Sequence, residues 1–274
     1  RTRMATPYQS EHAVTALGDS LYALGGFGDP RGFRRYDRSL DRWVELIDLP
    51  AGRDHPAAFA IPGSVYLVGG SANGGGDQSI SGFRYDITAG NWQPVPELIG
   101  GYGSHAAVVN GQAFIGLGDG SLQQFDPRQR RGRIIHSDGQ SRDHSQLVAF
   151  MDEIWHIGGR FPETSSVSIY DPVSEQWRPG PRLARFRGGF AAAVVGDRIV
   201  IGGGEVIGSG RYVEPSVEIY NAGGNTWAAG PDLPVPVHGT AGGAINGRFL
   251  IVSGSTVAGT AQGNTGRVFE LLLP

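Results

Sequence analysis

An aromatic residue followed by an acid or its amide recurs along this chain: Tyr36-Asp37, Tyr85-Asp86, Phe125-Asp126, Tyr170-Asp171, Tyr220-Asn221 and Phe269-Glu270. The intervals between copies are 49, 40, 45, 50 and 49 residues. In four copies a tryptophan stands seven places after the aromatic, at Trp43, Trp92, Trp177 and Trp227. A unit of about 40 to 50 residues with several short strands cannot bury its apolar faces alone and must stack on its neighbours. The spacing predicts an all-β ring, a six-bladed propeller with four antiparallel strands per blade, formed by residues 1–274 as one domain.

One unit shows why. Residues 12–17 form an apolar run, Gly18-Asp19 a two-residue turn, and residues 21–24 a second run closed by Gly25-Gly26. That is the grammar of a hairpin. A glycine-bearing polar loop follows, then a strand at 33–37, a turn at 38–41 and a fourth strand at 43–46. Asn110-Gly111 and Asn246-Gly247 mark tight hairpin turns in later units.

Paired glycines closing the second strand, the aromatic-acid pair in the third and the tryptophan in the fourth resemble the kelch repeat over essentially the whole chain. Gly25-Gly26, Gly69-Gly70, Gly158-Gly159 and Gly203-Gly204 match, while the third unit has Gly118-Asp119 and the sixth Ser253-Gly254. Gly132 replaces the tryptophan of unit three, so its outer strand is expected to pack less tightly. Unit six ends at Pro274 before a fourth strand. Residues 2–6 are expected to supply it and close the ring, since an open sheet edge is a liability. That alignment sets the missing tryptophan one residue before Arg1 and suggests a longer parent chain.

Composition removes several chemistries. The 23 basic residues are all arginine, and there is no cysteine. Without lysine there is no Schiff base and no phosphate-loop lysine; without cysteine there is no disulfide, no thiolate nucleophile and no cysteine-ligated zinc. The radical cofactor of the galactose oxidase family, whose propeller is similar, needs a cysteine crosslinked to tyrosine. A net charge of −3 offers no general attraction to nucleic acid. Arg128, Arg130, Arg131 and Arg133 read as a solvated outer turn. No stretch is long and apolar enough to span a bilayer as a helix. A monomer is expected. The arginine and glycine usage suggests a GC-rich bacterial genome, and the resemblance implies an exported or periplasmic location.

In such a blade the loops before the first strand and after the second lie on one face, around the channel mouth. Five of the seven histidines fall in the first loop class: His12, His55, His105, His144 and His238. Two carry an identical prefix, Arg53-Asp54-His55 and Arg142-Asp143-His144. With Arg53, Arg142, Arg160 and Arg187 they form the expected ligand-binding set, because arginine forks match carboxylates bidentately. Glu205 and Arg211 are the candidate catalytic pair, the glutamate as acid or base.

These residues point to recognition of a small polar or anionic molecule, a glycan or a protein loop. The alternative is an enzyme isomerising an acidic sugar, as the similar sialic-acid mutarotase does. A metal-dependent enzyme with histidine ligands is a third reading. No metal ligand is assigned and no cofactor is expected.

Overall fold

The computed structural model describes residues 9–72, 82–103, 105–137, 139–208 and 210–272. Every helix or strand among them is a strand. The first unit becomes Ala13–Leu17, Ser20–Leu24, Phe33–Asp37 and Arg42–Glu45, hydrogen-bonded in that order. The same order runs from Ala57–Ile61 to Asn91–Val95, from Ala106–Val109 to Arg131–Ile135 and from Gln146–Phe150 to Gln176–Pro179. The fifth blade, Ala191–Val195 to Thr226–Ala229, carries an extra hairpin of Glu205–Val206 with Tyr212–Val213. Its sequence reads as a plain loop, because two-residue strands carry no periodicity. In the sixth, Ala241–Ile245, Arg248–Val252 and Val268–Leu272 pair in order. The fourth strand expected from residues 2–6 lies outside the described residues.

The repeat signature is local chemistry. The seven-residue spacing sets Tyr36 opposite Trp43, Tyr85 opposite Trp92, Tyr170 opposite Trp177 and Tyr220 opposite Trp227 across the outer strand pair. Their ring centroids lie 5.2 to 5.5 Å apart, the range in which aromatic cross-strand pairs stabilise a sheet. In five of the six copies the acid or amide after the aromatic builds the turn. Asp37 accepts from the Leu40 amide, Asp86 from Thr88 and Ala89, Asp126 from Arg128 and Gln129, Asp171 from Val173 and Asn221 from Gly223. In unit three Gly132 stands opposite Phe125, and its strand is exposed except at Ile135. Asn110-Gly111 and Asn246-Gly247 hold positive φ at both residues, the requirement of the tight hairpin turn. The second glycine of each pair is needed for close approach: a Cβ on Gly26 would stand 2.7 Å from the Ser10 carbonyl.

Apolar residues form six buried clusters, one at each junction between neighbouring blades. Val148, Phe150, Trp155, Phe190, Ile199 and Tyr220 join blades four and five. Leu21, Tyr36 and Trp43 meet Ile245, Leu250 and Val268 between blades one and six. The innermost strands touch in succession, and the sixth, Ala241–Ile245, touches the first, Ala13–Leu17. All six line a central channel of about 400 Å³. The arginines of unit three lie outside: Arg130 pairs with Glu97 and Arg133 with Glu175.

Gln9 adds a detail about closure. The amide of the second glycine in blades one, four and five donates to the residue leading out of that blade's fourth strand: Gly26 to Arg53, Gly159 to Arg187 and Gly204 to Val237. In blade six the Gly254 amide donates to the Gln9 carbonyl at 3.0 Å. Gln9 therefore occupies, on the sixth blade, the exit position of a fourth strand.

Candidate functional site

Immediately before the innermost strands, the backbone turns through one left-handed residue per blade. These are Glu11, His55, Gly103, His144, Gly189 and Gly239, with φ of 52, 55, 64, 53, 64 and 54°. They form a rosette around one end of the channel. The amide of Glu11 donates to Gly239, that of His55 to Glu11, that of Gly103 to His55 and that of Gly189 to His144. Glycine is the residue this conformation favours, and a side chain there costs on the order of 1 kcal/mol. Three of the six positions carry one anyway, and all three are ionisable.

Their side chains converge. Glu11 Oε2 lies 3.5 Å from His55 Nε2 and 3.5 Å from His144 Nε2. Each imidazole is oriented from behind by the aspartate preceding it: Asp54 Oδ1 meets His55 Nδ1 at 2.7 Å and Asp143 Oδ1 meets His144 Nδ1 at 2.5 Å. The Tyr102 hydroxyl stands 2.9 Å from His55 Nε2, and its ring stacks on the imidazole at 4.0 Å. Burial alone would raise the pKa of Glu11, but His55, His144 and Arg160 hold it well below the usual carboxylate range. Burial pushes the Tyr102 phenol up, with the charges of Glu11 and Asp54 adding to it.

A second layer comes from the residue after each glycine pair. Ladder bridges tie Asp143 to Arg160 and Gly188 to Glu205, which aims both side chains over the rosette. Arg160 donates to Asp143 at 3.2 Å, lies 2.7 Å from His144 Nε2 and pairs closely with Glu205. Glu205, fully buried, also accepts from the Gly259 amide at 2.6 Å and faces His238 Nδ1 at 3.2 Å. The His238 Nε2 donates to the Val257 carbonyl at 2.8 Å, and burial lowers this imidazole's pKa. Arg211 donates to the Ala258 carbonyl at 3.1 Å. Together with Phe27, Tyr102 and Phe161, these groups wall a recess of about 320 Å³ open to solvent.

The expected site residues thus divide. His55, Arg160, Glu205, Arg211 and His238 meet around the recess, with His144 beneath it against Glu11 and Arg160. Arg53, Arg142 and Arg187 do not: they are buried braces within the ring. Arg142 donates to the Gly158 and Ser166 carbonyls and the Ser168 hydroxyl, and Arg187 to the Gly203 and Ser216 carbonyls and to Glu218. Arg53 donates to the Gly52 carbonyl and lies over Phe83. His12 and His105 each stand one residue before their innermost strand and face the channel; burial pushes them down to about 4 and about 3, so both are neutral.

Glu11, Tyr102 and the two aspartates are the groups not singled out from sequence. The signal for Glu11 was a count: it stands two residues before its strand, as His55 and His144 do, whereas His12 stands one before and His238 three.

Repeat chemistry, blade number and mouth geometry make this a six-bladed β-propeller of the kelch-repeat type. A family model for the Kelch motif matches residues 52–99. The chain is 27% identical, over 97% of its length, to the Kelch-like protein terF of Aspergillus terreus, of which it spans 65%. It is 26% identical, over 90% of its length, to an N-acetylneuraminate epimerase of Haemophilus influenzae, spanning 68% of that protein. To human Kelch-like protein 23 it is 24% identical over 82% of its length, 42% of that protein. The solved structure of YjhT superposes with a TM-score of 0.83 over 99% of this chain and 96% of that one at 16% identity, a likeness of fold.

Proposed function

We propose that the recess binds a small anionic, polyhydroxylated molecule of the acidic-sugar class. The observation that carries this reading is the convergence of Arg160, Arg211, Glu205 and His238 on one recess of about 320 Å³, walled by aromatic rings. Guanidinium groups suit a carboxylate, buried acids and imidazoles suit hydroxyls, and aromatic faces suit the apolar side of a sugar ring. The similarity to N-acetylneuraminate epimerases supports this ligand class. The test is titration with N-acetylneuraminate and neutral hexoses, followed by NMR. Saturable binding of the acid, lost in Arg160→Met and Arg211→Met, is expected; equal affinity for neutral sugars would remove the reading.

A second reading, turnover of that ligand, is favoured by the 3.2 Å approach of His238 Nδ1 to Glu205 Oε2. Exchange of anomers needs a base to take the proton of the anomeric hydroxyl and an acid to protonate the ring oxygen as the ring C–O bond breaks, with both transfers reversed on closure. The unprotonated His238 Nδ1 can take the anomeric proton, and the imidazolium so formed, stabilised by the Glu205 carboxylate, can return it to the ring oxygen. Wild-type protein is expected to accelerate anomeric exchange of freshly dissolved N-acetylneuraminate. Glu205→Gln should slow it at least a hundredfold while leaving binding within tenfold. Binding without acceleration would leave a recognition module.

A further inference from the structure

The geometry points to Glu11, His55 and His144 as a binding site for one divalent first-row transition-metal ion at the floor of the recess. The donor atoms of these three side chains all lie within 4.8 Å of one another. An ion held tetrahedrally at about 2.0 to 2.2 Å from its ligands spaces them roughly 3.4 Å apart. Glu11 Oε2 already stands at 3.5 Å from each Nε2.

Orientation agrees with spacing. Each imidazole gives its Nδ1 to an aspartate, the outer partner that fixes tautomer and ring direction in histidine-metal sites. Both Nε2 lone pairs are thereby turned inward, where they meet the Tyr102 hydroxyl and Arg160. An ion would replace these two contacts. Arg160 would retain Asp143 and Glu205, and the open coordination side would face the recess. Four carboxylates, Glu11, Asp54, Asp143 and Glu205, against the two guanidinium groups of Arg160 and Arg211 still leave a negative balance that suits a dication. Two imidazoles and one carboxylate select zinc, iron(II) or their neighbours over calcium or magnesium.

The backbone argues for a role beyond packing. The three donors occupy left-handed rosette positions filled by glycine in blades three, five and six. Side chains held where glycine would be easier are a mark of function. The proposal does not depend on the sugar reading, since no sugar enters its test.

Chelator-treated protein is titrated with Zn²⁺ by calorimetry, and with Co²⁺ while its visible ligand-field bands are recorded. One ion per chain is expected, with a low-coordinate cobalt spectrum. Glu11→Gly and His144→Gly should each weaken zinc at least tenfold without lowering the metal-free melting temperature; the isosteric Glu11→Gln repeats the comparison. Arg160→Met should tighten zinc by freeing His144 Nε2. Absence of saturable binding by the wild type, or unchanged affinity in both Glu11→Gln and His144→Gly, would overturn the assignment.

Discussion

Arg53, Arg142 and Arg187 share one sequence position, the residue leading out of a fourth strand, and in sequence they look like ligand forks. The fold turns them inward. Arg187 is fully buried and binds the Gly203 and Ser216 carbonyls, the Ser216 hydroxyl and Glu218. Gln9 at the same position donates to the Gly25 carbonyl at 2.8 Å, so a neutral amide can do part of the same bracing. Arg187→Met would leave Glu218 without its cation and two carbonyls without this donor, and should cost about 3 to 5 kcal/mol in urea unfolding. Residue type alone could not separate these arginines from Arg160, which follows the Gly158-Gly159 pair and bridges Asp143 at the mouth. The histidines were more legible. Counting back from each strand start sorts His55 and His144 from His12, His105 and His238, once strand starts are known to one residue, and a sequence rarely gives them that finely.

Strands and turns were read closely because their chemistry is local. The aromatic-tryptophan pairs, the aspartate-built turns and the Asn-Gly hairpins all lie within a few residues of their partners. The hairpin at Glu205–Val206 was missed for the opposite reason: its strands are too short for a pattern, and Glu205 bridges Gly188 from the preceding loop.

The inner strands also carry a pH response. His12 flanks the first strand and His156 lies in Glu153–Ile157; burial lowers His12 to about 4 and His156 well below its ordinary value. Both stay neutral in the folded state, while the unfolded chain takes up protons below about pH 6.5. These two histidines therefore add no slope above pH 7 and should lower stability on acidification from pH 6.5 toward 4, by up to about 1.4 kcal/mol per pH unit each. His144, raised despite its burial by Glu11 and Asp143, acts with the opposite sign above pH 6.5. His12→Asn should flatten that slope between pH 7 and 5, a window above the titration of ordinary carboxylates. A slope unchanged by the substitution would assign the acid sensitivity elsewhere.

At the scale of the ring, blade number was legible because the repeat counts blades directly. The cluster joining blades one and six shows that the circuit closes. Gln9, seated where a fourth strand would exit, makes the preceding segment the natural test. Deleting residues 1–6 should lower stability by several kcal/mol, on the order of a lost strand and its apolar burial. An unchanged melting temperature would show that the sixth sheet does not need them. The recess was less legible, since its walls come from all six blades and no sequence interval brings them together.

Near-sixfold repetition sets a problem for any guest on the axis: a uniform rosette would accept it in six interchangeable poses. Occupying blades one, two and four while blades three, five and six present bare glycine lifts that rotational degeneracy. A guest then meets donors on an arc and smooth backbone across from it, so the lopsided floor dictates a single heading from an otherwise repetitive scaffold.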